Sequence, residues 1–157
     1  MAKAQDVELD PAGTFADAAA RAVRLRSEEV FAHAAGVLDT TDVERVHDMR
    51  VATRRLRAAL EIFGDAFPRT QHRAVLADVK ALADALGARR DPDVQLERFL
   101  ALQAQLTPIH HPAIEVVLGR LRSEQRAGNR TLGAALARAQ RSALRERLAE
   151  LAGSAGG

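Results

Sequence analysis

The chain has 157 residues, with 23 basic and 21 acidic side chains and no cysteine, tryptophan or tyrosine. The lack of cysteine excludes disulfides, thiolate metal sites and cysteine catalysis, and no apolar run reaches membrane-spanning length. Hydrophobic residues make up 47%, mostly Ala, Leu and Val with five Phe, a composition suited to close-packed helices rather than sheets.

The charge is unevenly placed. Residues 1–45 carry five basic and nine acidic side chains, a balance of −4, and residues 46–157 carry eighteen and twelve, a balance of +6. Of the basic residues, 21 are Arg and two are Lys. A GC-rich genome would explain part of that bias, yet arginine also offers a planar fork of donors that matches phosphate oxygens. The N-terminal stretch lacks the apolar core of a secretory signal, so a soluble cytoplasmic protein is expected.

Residues 1–13 read as a flexible lead-in, with Pro11 and Gly13 as breakers. Thr14 is placed to cap a first helix, with Asp17 three residues on completing a variant capping box. Phe15, Ala18, Ala19, Ala22, Val23, Val30, Ala34, Val37 and Leu38 supply its apolar spacing. Arg21 and Arg24 lie near one another on its surface, and Glu28 and Glu29 can pair with Arg24 and Arg26, which reads as a solvated face.

Thr41-Asp42-Val43-Glu44 has the capping-box spacing and opens a second helix that ends near Gly64. At about 100° per residue this helix sorts into faces. Met49, Ala52, Leu56, Ala59, Leu60 and Phe63 form a core stripe, with Val46 and Thr53 at its margin. His47, Arg50, Arg54 and Arg57 fall together on the adjoining face, a basic row on the order of 15 Å long at the helical rise. Arg55 lies on the far flank. Like charges three and four residues apart repel, and only Glu61 softens the row, so an anionic partner is expected.

A third helix is predicted from Arg69 to Leu86, closed by Gly87 at its C-cap. Asp91 as N-cap and Pro92 at the first helical position restart the chain in a fourth helix through Leu102. Pro108 breaks it. His110-His111-Pro112 opens a long fifth helix, with Ile114, Val117, Leu118, Leu121, Leu132, Ala135 and Leu136 inward. Arg122, Arg126 and Arg130 climb its flank, and Gly128 and Gly133 weaken it. A sixth segment runs from Ser142 to Leu151, and residues 152–157 read as a flexible tail. No segment alternates with period two. The expectation is an all-α antiparallel bundle of five to six helices in one domain, residues 14–151.

Two stretches carry a family resemblance. His47-Asp48-Met49-Arg50-Val51 followed by Arg54-Arg55-Leu56-Arg57 resembles the signature of the CHAD family, the conserved-histidine α-helical domain. Leu86-Gly87-Ala88-Arg89-Arg90-Asp91-Pro92-Asp93-Val94 resembles its second marker, in the expected order and separation. The resemblance implies a helical domain that binds inorganic polyphosphate along a basic groove, a site that phosphate or sulfate would also occupy. It transfers that role to His47, Arg50, Arg54, Arg55 and Arg57, to Arg90 from the second marker, and less firmly to Lys80. Arg122, Arg126 and Arg130 join them on helix geometry. An imidazole donating to phosphate predicts tighter binding as pH falls through roughly 6–7.

Members of the family usually contain two related bundles, and this sequence holds one signature. A symmetric homodimer with two facing basic helices is therefore expected. Association with polyphosphate granules is a further expectation. Glu44-x-x-His47 has the spacing of a di-iron ligand pair but no second copy, and adjacent His110 and His111 cannot share a helix face. Neither a metal nor a cofactor is expected. Asp91 and Asp93 suit a helix start whatever the function. No phosphate-loop pattern and no Ser–His–Asp arrangement occurs, so the sequence reads as a binding module and not an enzyme. A nucleic-acid-binding bundle and a phosphate-metabolising enzyme are the alternatives. The scarcity of aromatic residues removes the stacking platforms that single-stranded nucleic-acid binders use.

Overall fold

A computed structural model describes residues 4–157. Five α-helices follow one another: α1 (Phe15–Ala32), α2 (Val43–Ile62), α3 (Arg69–Gln105), α4 (His111–Arg141) and α5 (Leu144–Gly153), with short 3-10 turns at Gly64–Ala66 and Pro108–His110. No strand occurs among the described residues, and the protein is an all-α bundle.

The start of α1 forms as its sequence dictates. Thr14 Oγ1 accepts from the Asp17 N–H at 3.1 Å, and Asp17 Oδ2 accepts from the Thr14 N–H at 2.9 Å. Both hydrogen bonds satisfy donors that a helix end leaves free, and the Thr14 N–H, with the Thr14 hydroxyl second, donates to Asp17 Oδ2 and holds that carboxyl below its usual range. The helix stops earlier than its apolar spacing suggests, at Ala32. Val37 is still fully buried, but from the connection that follows. That connection turns at Gly36, whose φ is +71°. A Cβ there would lie 2.9 Å from the end of the flexible Arg45 side chain, which can move aside, so it is the conformation that requires glycine.

Two further expected boundaries differ. The capping box at Thr41 does not form. Thr41 Oγ1 donates to Asp39 at 2.7 Å, and Asp42 pairs with Arg45 at 2.8 Å instead of capping α2. The predicted third and fourth helices are one continuous rod of 37 residues with Pro92 inside it. Gly87 and Asp91 are therefore interior positions and not caps. A proline in a helix removes the N–H that would serve the carbonyl four residues back, here that of Ala88. In α3 this carbonyl lies against the backbone of Gly128 in α4: a Cβ on Gly128 would sit 2.6 Å from it. The buried Pro92 ring and this close helix–helix approach carry the rod through a local stop signal. The expected long helix from His111 does form: α4 runs unbroken through Gly128 and Gly133, with Gly128 buried at the crossing.

One large core joins Val23 and Val30 of α1, Met49, Leu56 and Leu60 of α2, Val79, Leu82 and Leu86 of α3, Leu132 of α4, and Leu144, Leu148 and Leu151 of α5. A second, small core of Leu96, Leu118 and Leu121, flanked by Phe99, Ile114 and Val117, belongs to α3 and α4 alone. The distal halves of these helices thus form a hairpin extending from the body. At its turn the His111 imidazole donates to the Leu106 carbonyl at 3.2 Å. The expected flexible tail is docked: Ala152 is buried in the last turn of α5, and beyond the helix the Gly156 N–H donates to the Ala66 carbonyl at 2.9 Å. The segment before α1 is also held. Arg21 donates to the Glu8 carbonyl, Arg26 to that of Gln5, and the Gln5 N–H to Glu29. The first three residues of the expected lead-in lie outside the described residues.

Candidate functional site

The site is built on α2. Val46, Met49, Ala52, Thr53, Leu56, Ala59 and Leu60 are buried, the stripe that periodicity assigns to the core. Burying such aliphatic side chains contributes roughly 1.5–3 kcal/mol each, which fixes the rotation of the helix about its axis. Thr53 fits into this stripe because its hydroxyl donates to the Met49 carbonyl at 2.8 Å, leaving no buried polar group unpaired. With that face inward, the next face is presented along α3.

There Arg50, Arg54 and Arg57 form one wall of an open groove, and Ala83, Asp84, Gly87, Ala88 and Asp91 of α3 form the other. Among the described residues, Arg50 and Arg54 have no ion pair or hydrogen bond to the protein's own groups. Arg57 is paired with Glu61 at 3.0 Å, and the same carboxylate reaches Lys80 of α3 at 3.2 Å. Hydrogen bonds from Arg57 first and Lys80 second hold the Glu61 carboxyl below the ordinary glutamate range. A depressed folded-state value means that this bridge contributes above the unfolded value and is lost as pH falls through the folded one. At neutral pH Glu61 is a full counter-charge at that end of the groove.

The other sequence-selected residues are placed as follows. His47 is half-buried one turn before Arg50 on α2 and does not line the groove. Arg55 lines a separate depression with Gln5, Leu25, Glu28, Glu29, Ala32 and His33, on the α1 side. Arg90 is largely buried and lies 3.6 Å from Glu97. Arg122, Arg126 and Arg130 are exposed on α4, with Arg122 3.5 Å from Glu115. None of the three lines the groove. The groove brings together Arg50, Arg54, Arg57 and, through Glu61, Lys80.

Sequence reasoning passed over a second set. Arg89 and Asp93, one turn apart on α3, form a fully buried ion pair. Gln125 of α4 donates to Asp93 at 2.7 Å, and Arg89 donates to Asn129 Oδ1 at 3.1 Å. Asn129 in turn donates to the Leu38 carbonyl at 3.0 Å. The network ties α3, α4 and the α1–α2 connection together behind the groove. Matching four-residue spacings, Arg89 to Asp93 and Gln125 to Asn129, are its sequence signal, legible only if α3 is read as continuous.

Among the described residues no group of three or more His, Asp or Glu is placed to hold a metal ion, and no helix is long and apolar enough to cross a membrane. The fold and groove together define an all-helical domain with an arginine wall beside a low wall of small and acidic residues. The chain belongs to the CHAD domain family, whose pattern matches residues 21–156. It is also similar to the uncharacterized protein Rv2226 of Mycobacterium tuberculosis, 34% identical over 79 residues, which are 50% of this chain and 14% of that protein. The chain thus spans about one seventh of that relative's length. No solved structure matches.

Proposed function

We propose that this protein binds inorganic polyphosphate, laid along α2 against Arg50, Arg54 and Arg57, with Lys80 at the Glu61 end and His47 extending the row at the other. The observation that carries the reading is the state of Arg50 and Arg54: two guanidinium forks on one groove wall with no ion pair or hydrogen bond among the described residues. Forks of this kind match phosphate oxygens. Several of them engaging successive phosphates release counterions, so affinity falls steeply with salt. The family membership supports the ligand class. The groove lining, arginine, aspartate, alanine and glycine, supports a binding role without chemistry. Arg122, Arg126 and Arg130 form an outlying basic row that only a long polymer reaches as well. We place the protein in the cytoplasm, at polyphosphate granules.

Titration of polyphosphate against wild type and Arg50→Glu/Arg54→Glu tests the reading. The double reversal is expected to lower affinity by about two orders of magnitude or more with helicity unchanged, since neither side chain packs in the core. Retained affinity would refute the groove as the site. We further infer that two chains pair, supported by Leu100, Leu102, Ile109 and Val116 exposed on the hairpin. Sedimentation at micromolar concentration should show a dimer, and a clean monomer contradicts it.

A further inference from the structure

The groove is far less positive than its arginine row. The Glu61–Lys80 contact sets the antiparallel register of α2 and α3. At equal helical rise this places Arg57 level with Asp84, Arg54 with Gly87 and Arg50 with Asp91, all of them groove-lining residues. Four cations therefore share the site with three carboxylates, those of Glu61, Asp84 and Asp91. Asp84 and Asp91 are exposed and form no ion pair within 4 Å with the arginines opposite. They stand across the groove as exposed carboxyl groups two helical turns apart, on either side of Gly87.

A site selected only for affinity toward polyanions would not keep two carboxylates facing its arginines, because like charges opposed across a binding surface cost affinity while rejecting wrong partners. What they reject follows from the shape of the ligand. A bare phosphate chain is narrow. Held on the α2 wall, with Gly87 leaving room opposite Arg54, it lets both carboxylates keep their water. A nucleic-acid strand holding its phosphates on the same arginines must place sugars and bases over the α3 wall. That strips water from two carboxylates and leaves only the N–H groups of the bases to replace it, a costly desolvation wherever their geometry does not match. No aromatic side chain lines the groove, so stacking offers no compensation.

We propose that Asp84 and Asp91 are the selectivity residues of this groove, confining a bound polyanion to a single thread along α2 and rejecting strands that carry bases. This rests on the polyphosphate reading above. The test compares polyphosphate and oligothymidylate of matched charge, at one salt concentration, on wild type and Asp84→Asn/Asp91→Asn, with helicity checked by circular dichroism. Wild type is expected to prefer polyphosphate. The amide variant is expected to bind both more tightly, with the larger gain for the oligonucleotide, so that the preference falls about fivefold or more. Equal gains for the two polymers would reduce the aspartates to net charge and overturn the inference while leaving polyphosphate binding intact. No gain for either would also overturn it. A wild type that binds neither polymer would remove the polyphosphate reading, and this inference with it.

Discussion

Two arginine environments lie on either side of α3. Behind the rod, Arg89 is fully buried, paired with Asp93 and bonded to Asn129. In front of it, Arg50 and Arg54 stand in an open groove with no partner among the described residues. Both belong to motif stretches rich in arginine, and composition alone cannot separate them. The difference is one of solvent. A buried guanidinium has to be matched by a carboxylate and by acceptors within the fold, because its desolvation is otherwise uncompensated. An arginine at the edge of a groove stays hydrated and keeps its donors for a ligand. The buried set holds α3, α4 and the α1–α2 connection in register. The exposed set depends on that register for its opposing wall.

The contrast breaks most visibly at the buried pair. Asp93→Ala leaves Arg89 charged and sealed in, and is expected to cost about 3–5 kcal/mol of stability, read by denaturant unfolding. The folded fraction should bind polyphosphate as before. A loss below about 1 kcal/mol would mean that the pair behaves as a surface ion pair. Gly128→Ala is the milder version. Its new methyl group would meet the Ala88 carbonyl at 2.6 Å, so α4 must shift, at an expected cost of about 1–3 kcal/mol. Because Ala88 also lines the groove, this variant sharpens the comparison: any change in affinity would measure how far the back of α3 sets the front.

Much of the groove's basic wall was legible in the sequence, since a helix of known period with a clear apolar stripe fixes which side chains share a face. The Thr14–Asp17 cap was legible for the same reason, being local chemistry within one turn. The α3 rod was not. Gly87, Asp91 and Pro92 are strong local stop-and-start signals, and they were overridden by packing against Gly128, forty residues away along the chain in the helix that returns. The buried network was hidden with it, because its partners come into register only once α3 and α4 are aligned. Arg122, Arg126 and Arg130 illustrate the opposite limit. Their shared flank follows from helical spacing, but the direction that flank faces is set by how α4 sits on α3. Asp84 attracted no notice as an ordinary exposed helix residue. Only the register of two helices brings it level with Arg57.

The slope of log affinity against log salt counts the phosphate contacts that a basic site makes. Measured for polyphosphate on wild type and on Arg50→Gln/Arg54→Gln, it tests the groove directly. The account predicts that neutralising these two arginines lowers the slope by about two contacts' worth, roughly 1.4–1.8, while Arg126→Gln/Arg130→Gln lowers it less. A slope unchanged by the groove pair, or lowered more by the α4 pair, would contradict the assignment of polyphosphate to α2.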